Sequence, residues 1–311
     1  MMIREPVQAG RFYAASARQC REDLRVCLPQ PGELGSLPAV LHGGIVPHAG
    51  WMCSGAVAAR TFAAIAERRQ PATVVVFGAV HWPMDSEAAV FGRGAWVSPL
   101  GTIGIDERLA ERVLGMCPIA RDDPFAHERE HSIEVQVPFI QHFFPQAKLL
   151  PIMVLPGPRA HEVGRAVARA VKDSAADAVF IGSTDLTHYG PGYGMVSHGV
   201  GVPGLRWAKE HNDRRMIDLI IALNEDAVVA EAQAHQNACG AGAIAAAVAA
   251  CKECGATVAR LLAHTTSAEV LGELKMGSPA DAVGYAAIVF GSDEGTEPRR
   301  TSRQGGERTE A

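Results

Sequence analysis

Four polar side chains in this sequence share a setting: each closes an apolar run where the chain turns toward a helix or a loop. They are His48 in Gly44-Ile45-Val46-Pro47-His48-Ala49-Gly50-Trp51, His81 after Val74 to Val80, His188 after Ala178 to Thr187, and Cys239 ahead of Gly240. In open α/β folds the carboxyl ends of the strands form the ligand-binding edge. Three imidazoles and a thiol gathered at one edge match a metal site, with ligands at ~2.0–2.3 Å and a free position if the site is catalytic. His188, with Asp185 three residues before it, can ligate or stand beside the ion as a base, since free imidazole titrates near ~6.5. Cys239 precedes an alanine-rich helical stretch, and a helix N-terminus favours a thiolate.

The acidic run Glu128-Arg129-Glu130-His131-Ser132 supports two readings. Ser132 can cap a helix start, although Val135 at the third position lacks the carboxylate of a capping box. Alternatively, Glu130 and His131 lie over the ion, either hydrogen-bonded behind its ligands or binding substrate. Cys251-Lys252-Glu253-Cys254 matches C-x-x-C, but it sits alone in a helical run and reads as structural thiols.

The elements that must position these groups follow from periodicity. Helices are expected at Ser16–Leu28 (Ser16 as N-cap), Ser54–Ala66, Glu107–Leu114, Ser132–Phe144, His161–Lys172, Trp207–Ala222, Glu225–Gln233 and Gly240–Lys252. Strands are expected at Ala39–Leu41, Ala72–Ala79, Lys148–Leu155, Ala178 onward, Thr257–His264 and Gly284–Phe290. Ala88–Phe91 and Ala95–Val97, with Gly92-Arg93-Gly94 between them, read as a short hairpin. Ala9–Tyr13 reads as a packed N-terminal arm, from which Arg11 and Tyr13 can reach a pocket. Tyr189–Gly204 is long and glycine-rich, the mark of a lid or binding loop. Alternating strands and helices predict one α/β domain, a mostly central sheet covered on both faces, over residues 1–291. Residues 292–311 carry no apolar anchor and read as a disordered tail.

With 48% hydrophobic and 20% charged residues among 311, the chain can bury a substantial core. The net charge is −5 and no Lys/Arg block stands out, which argues against nucleic acid as a partner. No apolar run reaches the ~20 residues that span a bilayer, and the N-terminus lacks a signal-peptide core. A cytoplasmic protein is expected. Seven cysteines, an odd number scattered along the chain, fit reduced thiols.

The order of the motifs carries a resemblance. Pro47-His48-Ala49-Gly50-Trp51 with Ser54-Gly55, Glu130-His131-Ser132-Ile133-Glu134-Val135-Gln136, Ser183-Thr184-Asp185-Leu186-Thr187-His188-Tyr189-Gly190 and Ala238-Cys239-Gly240 follow one another. Over Arg4 to Gly291 the chain resembles the MEMO family, also called AmmeMemoRadiSam system protein B. That family is similar in fold to the class III extradiol (LigB-type) dioxygenases, which implies an α/β/α sandwich around a mixed sheet. The resemblance implies His48, His81 and Cys239 as metal ligands, Cys239 standing where those dioxygenases have a glutamate. It implies His188 as acid/base with Asp185 beside it; Glu130, His131, Tyr189 and Trp51 are expected as substrate-binding residues. The chain departs from the usual family phrase Gly-Pro-Asn-His, reading Gly78-Ala79-Val80-His81. Two histidines and a carboxylate are the facial triad of non-haem Fe(II) oxygenases, whereas a thiolate also suits copper or zinc. The expected activity is that of a mononuclear iron-dependent, dioxygenase-like oxidoreductase acting on a small aromatic or chelating substrate. The alternatives are a copper- or iron-binding redox or regulatory protein without turnover, and a zinc hydrolase. The family also implies a functional link to a radical-SAM protein.

Overall fold

The computed structural model describes residues 2–276 and 279–293. β1 (Ile3–Arg4) and α1 (Ala17–Cys27) precede β2 (Val40–Val46), which leads into α2 (Trp51–Arg68) and β3 (Thr73–Gly78). Three short strands follow, β4 (Ala88–Val90), β5 (Ala95–Ser98) and β6 (Gly101–Gly104), then α3 (Glu107–Met116) and β7 (Ala120–Asp122). A 3-10 turn at Glu134–Gln136 runs into α4 (Val137–Phe143), and β8 (Lys148–Val154), α5 (Ala160–Ser174), β9 (Ala178–Ser183) and β10 (His188–Tyr189) come next. Four helices, α6 (Val202–Trp207), α7 (Arg214–Ile221), α8 (Glu225–His235) and α9 (Ala241–Glu253), lead to β11 (Val258–Thr266), α10 (Ser267–Glu273) and β12 (Ala282–Ser292).

Nine strands form one mixed sheet in the order β10-β12-β2-β9-β3-β8-β4-β7, with β11 also paired to β12. Its centre, β2-β9-β3-β8, is parallel, while β12 and β4 pair antiparallel at either side of that block. Along β3 the side chains alternate between two cores. Val75 and Phe77 pack with α5 and α9, while Val74 and Val76 pack with α1, α2 and α4. A strand buried on both faces must be apolar at every position, which is why Thr73–Gly78 shows no polar alternation. Helices on both faces make an α/β/α sandwich around a mixed sheet.

Local chemistry explains the boundaries. Ser16 caps α1 by accepting from the Gln19 N–H, and Thr266 with Glu269 forms a full capping box on α10, as such side chains do for the orphan donors of a first turn. Gly164 permits α5 to lie on α9, because a Cβ there would sit 2.0 Å from the Ala246 carbonyl oxygen.

Three sequence expectations change. Ala88–Phe91 and Ala95–Val97 do not form a hairpin: β4 joins the large sheet between β8 and β7, whereas β5 joins β1 and β6 in a separate three-stranded sheet. The apolar runs are real, but Gly94, at φ 95°, turns the chain away instead of folding it back. The expected helix Trp207–Ala222 starts earlier, at Val202, and carries a π-helical stretch at Ala208–Asp213. That wide turn, of the kind often found at functional sites, buries Asn212 and Asp213. Asp213 Oδ1 then accepts from the Thr187 N–H at 2.9 Å. Finally, the strand expected at Gly284–Phe290 is longer, β12 running from Ala282 to Ser292. The rest of the expected tail, from 294, lies outside the described residues.

Candidate metal centre

Because β2, β9 and β3 are parallel neighbours, their carboxyl ends open on the same edge, which brings together the segments bearing His48, His81 and Asp185–His188. The ring centroids of His48 and His81 are 5.3 Å apart, those of His48 and His131 5.3 Å, and those of His81 and His131 4.5 Å. One donor atom from each of these three lies within 4.8 Å of the other two. Donors bound to one ion at about 2.1 Å are separated by about 3–4 Å, so the group needs only a small inward adjustment to share an ion.

The hydrogen bonds determine which nitrogen each ring offers. Ser183 Oγ donates to the Ser132 carbonyl at 2.6 Å and accepts from Gln136 Nε2 at 3.2 Å. With its proton so committed, it accepts from His48 Nδ1 at 3.0 Å, which leaves the His48 Nε2 lone pair for an ion. His81 Nδ1 lies 2.9 Å from Glu130 Oε1, the carboxylate–histidine arrangement that orients a metal-binding ring. Glu130 is buried, and its carboxylate also accepts from the backbone N–H groups of His81, His131 and Ser132. Burial disfavours its charge, but the bonds from His81 and these N–H groups outweigh burial and hold it well below the usual carboxylate range. Burial would lower His81, yet Glu130 raises it. Burial drops His48 well below the ordinary imidazole value and His131 to about 4, so both are neutral near pH 7, the form that binds metals.

Cys239 lies at the His48 side of this group, its Sγ 3.2 Å from His48 Nε2. Sγ also accepts from the Asp185 N–H at 3.3 Å. Burial, then the neighbouring Asp185, pushes the thiol far up, so it carries its proton and donates to the imidazole. Gly240 at the start of α9 is tied to Thr184 Oγ1 at 2.9 Å, which holds Cys239 in place. Helix-start stabilisation of a thiolate is outweighed here by burial.

His188 is half-buried, and its Nδ1 lies 3.0 Å from the Leu186 carbonyl. A carbonyl only accepts, so Nδ1 carries the proton and Nε2 is the basic nitrogen. Burial lowers its pKa. Asp185 is buried, which raises it to about 7 despite the bond from the His48 N–H at 2.7 Å.

Both His188 and Asp185 line a cavity of about 540 Å³ together with His48, His81 and His131. Three expected substrate contacts, Trp51, Tyr189 and Glu130, do not line it. Trp51 is buried, stacked on Tyr13 at 5.4 Å and tilted against Phe139, with Nε1–H donated to the Val135 carbonyl. Tyr189 is fully buried, its hydroxyl between Gly199 O and the His198 N–H. Each is a large apolar ring at an element end, where the core claims it. His131, expected behind the ligands or on substrate, instead stands among the three donor imidazoles. Glu130 acts through His81.

Sequence reasoning singled out no role for Ser183 and Gln136, which set the His48 tautomer, or for Tyr193, Tyr285, Phe12 and Asp281, which line the cavity. The first two lie inside the quoted motifs. The others carry no signal of spacing.

The N-terminal arm completes the site from behind. Arg4, stacked on Trp96, donates to the carbonyls of His127 and Glu130 and to Glu134 Oε2 at 2.9 Å. Glu134 in turn accepts from Val7 N, Gln8 N and Tyr13 Oη. Arg11 borders a neighbouring cavity. Among the described residues no helix is long and apolar enough to cross a membrane.

Residues 4–289 match the family described as Memo-like protein. A MEMO1 family protein of Methanopyrus kandleri is 36% identical over 299 residues, covering 93% of this chain and 99% of that protein. Another, from Methanothermobacter thermautotrophicus, is 37% identical and covers 92% of this chain and all of that protein. Among solved structures, the uncharacterised protein JW3007 of Escherichia coli K12 matches with a TM-score of 0.45 at 14% identity, over 75% of this chain and 91% of that one. Matched by the family over residues 4–289 and by relatives 36% and 37% identical over nearly their whole length, the chain belongs to the Memo-like family.

Proposed function

We propose that the protein is a mononuclear non-haem iron-dependent, dioxygenase-like oxidoreductase acting on a small aromatic or chelating substrate. The observation that carries it is the trio of imidazole donors within 4.8 Å of one another at the wall of a cavity of about 540 Å³ that His188 also lines. His48, His81 and His131 supply nitrogen, and Cys239 supplies sulfur once its proton is displaced. When bound, Fe(II) supplies the oxygen-activating and substrate-chelating chemistry of such sites.

The chain's own residues handle protons and orientation. His188 Nε2, neutral near pH 7 and fixed by the Nδ1–Leu186 bond, takes a hydroxyl proton from the substrate. Asp185, at about 7, is the second group able to exchange a proton inside the cavity. Glu130 holds His81 in one orientation by accepting from its Nδ1, which leaves Nε2 for the ion. Tyr193, edge-on to the His188 ring at 5.1 Å, limits the ring's rotation and screens it from water.

The test is anaerobic Fe(II) titration followed by oxygen uptake against a panel of catechols. Uptake that is lost in His188→Ala while iron still binds is expected; no uptake with any substrate sinks the enzymatic reading. A second reading, a copper- or iron-binding redox or regulatory protein without turnover, is favoured by the thiol 3.2 Å from His48. It requires tight metal binding that disappears in Cys239→Ala, with no oxygen consumption.

A further inference from the structure

The cavity walls bear on which aromatic compounds fit. Apart from the imidazoles, the charged side chains lining it are two carboxylates, Asp185 and Asp281; among the described lining residues there is no lysine or arginine. Asp281 is half-exposed and has no cationic partner among the described residues. Its Oδ1 accepts from the Gly192 N–H at 2.7 Å. Gly192 belongs to the short turn Pro191–Tyr193, so Asp281 is tied to the segment that places Tyr193 against His188. The Tyr193 hydroxyl is pushed up by burial, then by Asp281 and Asp185, which places both carboxylates within electrostatic reach of that ring. Tyr285 and Phe12 add further aromatic surface to the walls.

Sites that recognise a carboxylate or phosphate tail present arginine or lysine to it. Among the described lining residues, positive charge is available at the imidazole group, where a bound ion would neutralise the two ring oxygens of a chelating substrate. A second anionic group on the substrate would face Asp281. A cationic group would instead be attracted by that carboxylate and by the faces of the tyrosine rings.

Building on the metal-centred reading above, we infer that the cavity selects chelating aromatic compounds whose side chain is a protonated amine over those whose side chain ends in a carboxylate. Asp281 is the specificity-determining residue, and Tyr193 and Tyr285 flank the amine.

Three ring-matched probes test this: dopamine, ethylcatechol and dihydroxyphenylacetate, titrated calorimetrically at neutral pH into the full chain loaded with Fe(II) under argon. Dopamine is expected to bind about fivefold more tightly than ethylcatechol, and dihydroxyphenylacetate about fivefold more weakly, the scale of one partly exposed ion pair. Asp281→Asn should bring dopamine and ethylcatechol to within about twofold, and Asp281→Lys should reverse the order of the amine and the acid. Equal or tighter binding of dihydroxyphenylacetate by the unmodified chain overturns the inference, as does an unchanged preference in Asp281→Asn. If ethylcatechol binds without any charge preference among the three, the metal-centred reading stands and only the amine selectivity falls. If none of the three binds, both fall together.

Discussion

At the scale of single residues, the centre is oriented by protons. The Cys239 thiol donates toward the nitrogen of His48 that an ion would need, and the Nδ1 atoms of His48 and His81 are tied to Ser183 and Glu130. If the sulfur becomes a ligand, metal uptake near pH 7 should release about one proton more per ion from the unmodified chain than from Cys239→Ala. Titration in two buffers of different ionisation enthalpy measures this, and equal release in both proteins would remove the sulfur from the ligand set. Glu130→Gln leaves a hydrogen-bond acceptor but removes the charge behind His81. Affinity for Fe(II) should fall by about 10- to 100-fold, as for other lost outer partners of a ligating histidine; competition with a chelator of known affinity reads it.

At the scale of elements, the site depends on segments far from its chemistry. β2, β3 and β9 each bring a side chain because parallel pairing aligns their carboxyl ends. The His131 segment has no strand to fix it and depends on the N-terminal arm. Arg4 and Glu134 are both buried, and removing one member of such a pair leaves an uncompensated charge. Arg4→Ala should therefore destabilise the protein by about 3–5 kcal/mol in urea unfolding. Because Arg4 also holds the Glu130 carbonyl, the variant should bind metal more weakly even at temperatures where it stays folded. The α5–α9 contact offers an independent check. Gly164→Ala forces a methyl group against the Ala246 carbonyl and should cost about 1–3 kcal/mol, with metal affinity unchanged.

Across the whole molecule, burial of imidazoles makes stability depend on acid. His127 is fully buried against Phe91 and Trp96, and burial drops it to about 3, with Arg4 adding to the effect. Its folded pKa lies below the unfolded value of 6.5, so the unfolded chain binds the extra proton. The resulting stability is fully present above pH 6.5 and is lost as pH falls through about 3. For this one group the loss is on the order of 5 kcal/mol. His127→Phe should flatten the acid limb of a melting-temperature profile recorded on metal-free protein, and an unchanged limb would assign acid sensitivity elsewhere. Asp185 works in the opposite sense. Raised to about 7 by burial, it contributes stability below its unfolded pKa that is lost as pH rises through neutrality, so Asp185→Asn should gain most above pH 7.

Local chemistry determined much of this protein from its sequence. The apolar runs of β3, β8 and β9 mark a doubly covered sheet, and residues such as Ser16 mark helix starts, because each is a short-range preference written in consecutive residues. His48, His81 and His188 stood out for the same reason, each beyond the end of such a run, whereas Cys239 follows α8 and a short polar link. Partner choice was decided only by the tertiary structure. Nothing in Ala88–Val97 says that two adjacent strands join different sheets, since pairing depends on edges made by residues far along the chain. Nor does the sequence around Glu130-His131 say that the second imidazole joins the donors, or that Trp51 and Tyr189 turn into the core. Those outcomes depend on what lies across the sheet edge, and that neighbourhood forms only when β2, β3, β9 and the N-terminal arm pack together.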